Sequence, residues 1–143
     1  MRFLVVTDKP TKKKIRQTCE KMEKKYHKKA PQKLRSWYIS RETDWHKPFL
    51  EIAPALIFVF SDKTAPYHIQ STWIAVGYML LALEEKKLAS LTYTPSKIKW
   101  ANSMFNIPQN YILQVIIPVG KLRDPNYKKQ PRHSLETILG IHT

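Results

Sequence analysis

Three short runs of apolar residues constrain the fold of this chain more than any other feature. They occupy residues 3–6, 54–60 and 111–118 and consist mainly of β-branched, aromatic and leucine side chains. Runs of this length without polar alternation are typical of buried strands. A shorter strand is predicted over residues 88–93. Helical patterns separate these strands, so the order of elements predicts one α+β domain in which helices flank a layered α/β sheet.

A long amphipathic helix is predicted over residues 11–28, with Thr11 as its N-cap. Its apolar residues recur at spacings of four, three and four, which places them on one helix face. They are Ile15, Cys19, Met22 and Tyr26. Cys19, the single cysteine of the chain, is interpreted as a small buried hydrophobe rather than as a nucleophile.

A second long helix is predicted over residues 68–87, and it is apolar around most of its circumference. Such a helix lies inside a protein or in a subunit interface. A domain of this size has little interior, so we expect a homodimer with this helix at the interface. Residues 30–50 lack clean periodicity and carry Trp37, Tyr38 and Trp45 among charges, which indicates a partly helical loop or lid.

Three shorter features complete the expected order. Residues 61–66 are predicted to form a turn. Thr94 and Pro95 are predicted to cap and begin a short helix that continues to residue 105. Ser134 is the predicted N-cap of a short terminal helix over residues 134–139.

The charge is large and uneven. The chain has 25 Lys and Arg against 11 Asp and Glu, a formal net charge of +14, and 15 of the basic residues lie within residues 1–47. A basic stripe attracts nucleic acid, acidic lipid or a phosphorylated cofactor, although a solvated helix face is the more common explanation. The sequence has no RRM, KH or helix-turn-helix signature, which disfavours nucleic-acid binding.

Several function classes have no motif here. The sequence contains no P-loop, GxGxxG or GxSxG. The five histidines form no HExxH or i/i+4 pair, so no metal site is expected. No run approaches the roughly 20 apolar residues of a membrane span. The N-terminus also lacks the layout of a signal peptide, which predicts a cytoplasmic location.

Sequence motifs along most of the chain resemble those of one family. The opening MRFLVVTDKP is similar to the strand that follows a QPW-type motif in FMN-dependent nitroreductases. Residues 81–95, LALEEKKLASLTYTP, resemble the LAAxxxGLxTxTTTP of the iodotyrosine deiodinase-like branch, with Lys87 where a glycine is usual. Residues 117–138, IPVGKLRDPNYKKQPRHSLETI, resemble its LPVGYPxxD…KRKPLDQI.

The resemblance implies a nitroreductase-like mixed sheet flanked by helices. It also implies that residues 1–143 are a single, partial domain, truncated relative to the family by an N-terminal portion with an RRSxR phosphate clamp. The implied activity is an FMN-dependent oxidoreductase that reduces a halogenated phenol or another small aromatic compound. NAD(P)H is an expected electron donor.

The resemblance also assigns residues to roles. It implies that Thr94 is catalytic, donating a hydrogen bond to flavin N5, and that Arg132 binds the FMN phosphate. The implied flavin-contact residues are Thr92, Tyr93 and Thr94. The implied substrate-binding residues are Glu23, Tyr26 and Lys47, with Met22 as the alternative to Glu23.

Two other functions stay open on the sequence. In the first, the chain is a non-catalytic, truncated relative that acts as a dimerising or regulatory protein. In the second, which is less favoured, it is a basic nucleic-acid-binding domain.

Overall fold

The computed structural model describes residues 1–41, 43–122 and 132–142. Strands and helices alternate along the chain. In order, they are β1 (Arg2–Val6), α1 (Lys9–Lys29), α2 (Gln32–Ser40), α3 (Phe49–Ile52), β2 (Ala55–Asp62), α4 (His68–Glu85), β3 (Leu88–Ser90), α5 (Trp100–Phe105), β4 (Tyr111–Lys121) and α6 (Leu135–Ile138). Within these ranges, no helix is long and apolar enough to cross a membrane.

The four strands form one sheet in the order β1-β2-β4-β3. Strands are confirmed at the three apolar runs, and the two longest runs, β2 and β4, lie at the centre. β1 lies at one edge with Phe3 and Val5 exposed, so the burial predicted for its run is wrong. Every pairing among the described strands is antiparallel, so the parallel pairing that a mixed sheet requires is not found in this part of the chain. β2 continues through Ser61 to Asp62 against β4, so the turn predicted over 61–66 begins too early.

Helices cover both faces of the sheet. Alternate residues of β2 point to opposite sides, as the period of a strand requires. Phe58 and Phe60 pack with Ile15 and Cys19 of α1 in one buried cluster. Val59, on the other side, packs with α4 in a second cluster. The site described below lies at the β3 edge, between these two layers.

α1 begins at Lys9, two residues before the predicted start. The Asp8 carboxylate accepts a hydrogen bond from the Thr11 N–H at 2.9 Å, so Asp8 is the N-cap and the assignment of that role to Thr11 is wrong. The side chain of Thr11 lowers the pKa of Asp8, and this backbone hydrogen bond lowers it further. Pro10 occupies the first turn, where its missing N–H costs nothing.

The buried face of α1 differs from the predicted apolar stripe in its last turns. Its members are Lys12, Ile15, Cys19 and Glu23. Cys19 is fully buried, as predicted, but Tyr26 is 46% exposed and Met22 is only partly buried. Lys12 and Glu23 are therefore buried on a helix face for which the sequence pattern predicted only apolar residues.

Lys12 ties α1 to the connection between α3 and β2. Its Nζ donates hydrogen bonds to the carbonyl oxygens of Ala53 at 2.6 Å and Pro54 at 3.3 Å, and the residue is only 4% exposed. These two bonds replace the water that a buried ammonium loses.

α4 packs one face on the sheet through Thr72, Val76 and Leu83. Large apolar side chains on its other face stay exposed, at 59% for Ile74 and 71% for Tyr78. The helix ends at Glu85 rather than at residue 87, because Lys87 adopts a left-handed backbone conformation with φ 55°.

The helix predicted from Thr94 onward begins only at Trp100, with Lys99 as N-cap. The chain instead continues the β3 edge beyond Ser90, and Tyr93 forms an antiparallel bridge with Ile116. Thr94 is therefore not a helix cap. The terminal helix is confirmed over a shorter span, Leu135–Ile138, with Ser134 as its cap residue.

Candidate active site

The candidate site is organised by the chain segment that follows β3. The Tyr93 N–H donates to the Ile116 carbonyl at 2.9 Å, and the Ile116 N–H donates to the Tyr93 carbonyl at 2.8 Å. This bridge keeps the register of β3 with β4. In such a ladder the neighbours of a bonded residue point their N–H groups away from the partner strand and their side chains to the other face. Thr92 and Thr94 therefore face outward from the sheet edge.

Burial follows this alternation. Thr92 and Thr94 are exposed, whereas Tyr93 between them is only 9% exposed. The structure thus separates the three predicted flavin-contact residues. The two threonines share the α4 side of the edge, while the Tyr93 ring enters the cluster on the α1 side. There it packs edge-on against Phe49, with the ring centroids 5.6 Å apart.

Thr94 is linked to a set of polar side chains on the α4 side of the sheet. Its hydroxyl donates a hydrogen bond to the Gln114 carbonyl at 3.0 Å. The Gln114 side chain donates to Ser61 Oγ at 2.9 Å and accepts from Trp73 Nε1 at 3.2 Å. His68 Nδ1 lies 3.0 Å from the same Ser61 oxygen. Since the single hydroxyl proton of Thr94 is committed to Gln114, its oxygen presents acceptor lone pairs.

Sequence reasoning missed Gln114, Ser61 and Trp73. One signal was available for Gln114: it is the single polar residue in the apolar run at 111–118. A polar side chain inside a buried strand requires a hydrogen-bond partner and therefore indicates a constructed polar contact. Ser61 and Trp73 carried no comparable signal, because the partner that they share, Gln114, is distant from both in sequence.

On the α1 side, Tyr93 and Glu23 form a buried polar pair. The Tyr93 hydroxyl donates to Glu23 Oε1 at 3.1 Å, and Glu23 is only 7% exposed. The Ser96 N–H donates to the same oxygen at 2.8 Å. Burial raises the pKa of the Tyr93 phenol, and the neighbouring Cys19 and Glu23 raise it further. Glu23 thus joins the two ends of the segment 93–96.

The second oxygen of Glu23 has no hydrogen-bond partner among the described residues. No fully buried side-chain oxygen or nitrogen in this part of the structure lacks a partner, so Oε2 retains contact with solvent. The ion pairs within the described ranges are Arg16 with Glu20, Arg16 with Glu51 and Asp44 with His46. Glu23 is in none of them, and its carboxylate is held by neutral donors alone.

The other two predicted substrate residues lie near Glu23. Tyr26 is one helical turn further along α1. Lys47 lies in the loop after α2, where its N–H donates to Glu20 Oε1 at 2.8 Å and its Nζ donates to the Asp44 carbonyl. Burial lowers the pKa of His27, Lys47 lowers it further and Glu23 raises it, so both charges act on the same imidazole.

α2 covers this region from the side. The Tyr38 ring stacks on the His27 imidazole with ring centroids 4.2 Å apart. The partly helical character predicted for residues 30–50 is confirmed by α2 and the start of α3, and a role of this segment as a lid stays a prediction. A cavity of about 260 Å³ lies beside Tyr26 and Ser96, and Met22, lysines from α1 and Lys97 line the rest of it.

Arg132 is exposed and directly follows residues 123–131, which lie outside the described ranges. No described contact joins it to Thr92 or Thr94, so its assignment to a phosphate stays a prediction. Within the described ranges, no three His, Cys, Asp or Glu side chains come close enough together to hold a metal ion.

Comparison with known proteins places this architecture. The model of the nitroreductase family matches residues 1–121. Iodotyrosine deiodinase of Thermotoga neapolitana is 45% identical over 142 residues, covering 99% of this chain and 75% of the relative. Iodotyrosine deiodinase of Haliscomenobacter hydrossis is 37% identical over 129 residues, covering 82% of this chain and 58% of the relative.

A solved structure is similar over nearly the whole chain. It is a crystal structure of oxidized iodotyrosine deiodinase bound to FMN and 3-iodo-L-tyrosine, with a TM-score of 0.91 and 44% sequence identity. The match covers 99% of this chain and 76% of that chain. The family model, the two relatives and this structural match agree with one another: the chain belongs to the nitroreductase family.

Proposed function

We propose that this chain is an FMN-dependent oxidoreductase that reductively removes halogen from a halogenated tyrosine or a similar small phenol. The observation that carries the proposal is the structural match, with a TM-score of 0.91, to an iodotyrosine deiodinase bound to FMN and 3-iodo-L-tyrosine. The match includes the β3 edge, since it covers 99% of the chain.

The residues at the β3 edge fit a flavin. Thr92 and Thr94 present two hydroxyls and two outward backbone N–H groups along one exposed edge. A row of this kind matches the alternating donors and acceptors at the edge of a flat heterocycle. FMN, when bound, would supply the reducing electrons. The Thr94 oxygen, as an acceptor, favours a protonated ring nitrogen, whereas its backbone N–H favours an unprotonated one.

Arg132 is the proposed phosphate ligand. A guanidinium makes paired, charge-assisted hydrogen bonds to phosphate oxygens. Its exposure leaves this fork free to reach a ligand at the surface.

Glu23, Tyr26 and Lys47 are the proposed substrate contacts. A carboxylate suits the ammonium of an amino acid, an ammonium suits its carboxylate, and a phenol hydroxyl can serve either. Their common neighbourhood at α1 and the following loop supports this assignment.

The exposed face of α4 supports a homodimer. Its large apolar side chains are 41–71% exposed; they are Ile69, Trp73, Ile74, Tyr78 and Leu81. A contiguous apolar surface of this kind is characteristic of a protein interface. NAD(P)H as electron donor and a cytoplasmic location are further parts of the proposal, and both rest on the sequence.

The decisive experiment is to purify the full chain, add FMN, and measure both flavin uptake and iodide release from 3-iodo-L-tyrosine, with dithionite or NADH as reductant. Bound flavin and iodide release with either reductant support the proposal. Protein that stays colourless after FMN addition contradicts it. Flavin uptake without iodide release favours the non-catalytic alternative. Nucleic-acid binding that falls steeply with salt would favour the third function.

A further inference from the structure

We propose that Tyr93 is a positioning residue: it orients the Glu23 carboxylate to receive the ammonium group of an amino-acid substrate, and so links substrate selection to the edge that holds the flavin. The proposal rests on the proposed function and deepens it. It assigns Tyr93 a role different from the flavin contact implied by the resemblance, because the side chain lies on the opposite side of the edge from Thr92 and Thr94.

Two hydrogen bonds hold the Glu23 carboxylate in one orientation. Both hydrogen bonds, from the Tyr93 hydroxyl at 3.1 Å and the Ser96 N–H at 2.8 Å, reach the same oxygen, Oε1. Two donors on one oxygen fix the rotation of the carboxylate group. The other oxygen, Oε2, accepts no hydrogen bond from the described residues, so its lone pairs are available to a ligand.

The charge of the Glu23 carboxylate has no cationic partner within the described part of the chain. Glu23 is more than nine-tenths buried and has no cationic partner among the ion pairs of the described residues. A buried carboxylate held only by neutral donors is incompletely compensated. A ligand ammonium at Oε2 would complete that compensation. The chemistry therefore selects a substrate that carries an amino group over a plain halogenated phenol.

Tyr93 also connects Glu23 to the edge that holds the flavin. The Tyr93 backbone makes both hydrogen bonds of the bridge with Ile116, and that bridge sets the outward direction of Thr92 and Thr94. One residue thus holds the Glu23 carboxylate through its side chain and the cofactor edge through its backbone. Replacing the hydroxyl alone separates these two functions, because a phenylalanine ring keeps the packing against Phe49.

The test compares Tyr93→Phe with wild type in the FMN-loaded protein, using two ligands: 3-iodo-L-tyrosine and 2-iodophenol. The measured quantity is the ratio of their dissociation constants, read from flavin absorbance without turnover. Loss of a hydrogen bond to a charged group predicts that wild-type preference for the amino acid falls about ten-fold or more. A ratio equal to that of wild type overturns the proposal, whether both ligands bind equally more weakly or neither changes. Tyr111→Phe, whose hydroxyl makes no described hydrogen bond, is the matched control and should keep the wild-type ratio.

A second measurement needs no flavin. Nuclear magnetic resonance of the cofactor-free chain reports the Ser96 amide, which we expect to be protected from exchange in wild type and to lose protection in Glu23→Ala. Addition of L-tyrosine should shift this amide in wild type, and Tyr93→Phe should reduce the shift. A Ser96 amide that does not respond to L-tyrosine overturns the proposal. Failure to bind FMN together with a normal Ser96 response rejects the proposed function alone.

Discussion

The hydroxyl of Thr94 donates a hydrogen bond to the main-chain carbonyl of Gln114, 3.0 Å away on the central strand β4. The threonine that the resemblance assigns to flavin N5 therefore meets a ligand with its backbone N–H as donor and its hydroxyl oxygen as acceptor. This arrangement separates the contribution of the side chain from that of the backbone.

Thr94→Ala removes the hydroxyl and keeps the backbone N–H. We expect FMN affinity to change by less than about ten-fold, because one neutral hydrogen bond contributes about 0.5–1.5 kcal/mol. The reduction potential of the bound flavin should shift and iodide release should slow, since the acceptor for a protonated ring nitrogen is lost. Flavin titration and potentiometry measure the two effects. A potential equal to that of wild type would show that the hydroxyl does not contact the reactive ring.

Arg132→Ala should weaken FMN binding by about ten- to a hundred-fold, the equivalent of about 1.5–3 kcal/mol for a charge-assisted contact. The FMN affinity of Arg132→Lys should lie between those of wild type and Arg132→Ala, because lysine keeps the charge but loses the forked pair of donors. The side chain is exposed, so the melting temperature of the flavin-free protein should not move. Fluorescence titration with FMN measures the affinity, and equal affinities in all three proteins would reject the phosphate assignment.

The exposed apolar face of α4 predicts the oligomeric state. Tyr78 is 71% exposed in the single chain, so Tyr78→Lys should not disturb the monomer fold but should bury a charge in a dimer. We expect light scattering to show a dimer for wild type and a monomer for the variant. Ile39 on α2 is 78% exposed, and Ile39→Lys is the matched control that should stay dimeric. A monomeric wild type would contradict the interface.

Lys12→Met should destabilise the protein by about 1–3 kcal/mol. The change removes the buried ammonium and leaves the Ala53 and Pro54 carbonyls without their donor. Urea unfolding measures the difference in the free energy of unfolding. Lys13→Met, one residue along on the exposed face of α1, controls for the lost charge and should change this free energy by less than about 0.5 kcal/mol. Equal effects of both variants would contradict the role of Lys12.

Cys19 predicts a loss of stability in alkali. Burial raises the pKa of its thiol from 9.0 to about 12, so above pH 9 the unfolded chain ionises while the folded chain does not. The unfolded state then binds fewer protons, and the contribution of this thiol to stability, complete below pH 9, is lost as the pH rises to about 12. The slope should be shallower in Cys19→Ala by up to about 1.4 kcal/mol per pH unit. Parallel slopes in both proteins would contradict this account.

The central strands could be predicted because their signal is local. Long, mostly apolar runs indicate burial, and β2 and β4 are the two most buried strands of the sheet. The end of α1 could not be predicted in the same way. The pattern counted apolar side chains and therefore selected Tyr26, whereas the fold buries Glu23, whose partners Tyr93 and Ser96 lie 70 and 73 residues away.

Thr94 shows the same limit. Threonine followed by proline is a strong local signal for a helix start, but the bridge of Tyr93 with Ile116 holds the preceding residue in the sheet. Lys87 is the opposite case. The resemblance places a glycine there, and the left-handed φ of 55° gives the physical reason, because glycine adopts that conformation without steric cost.

The unbroken register along the β3 edge limits how this part of the chain can change in length. Ser90 lies opposite Val119 and Tyr93 lies opposite Ile116, so residues 91 and 92 span the interval without slippage. One inserted or deleted residue would exchange the two sides, turning the aromatic ring out to solvent and a threonine into the core. Two residues would restore the original sides. A change of even length therefore keeps the two sides of this connection, whereas a change of odd length exchanges them unless a β-bulge absorbs the extra residue.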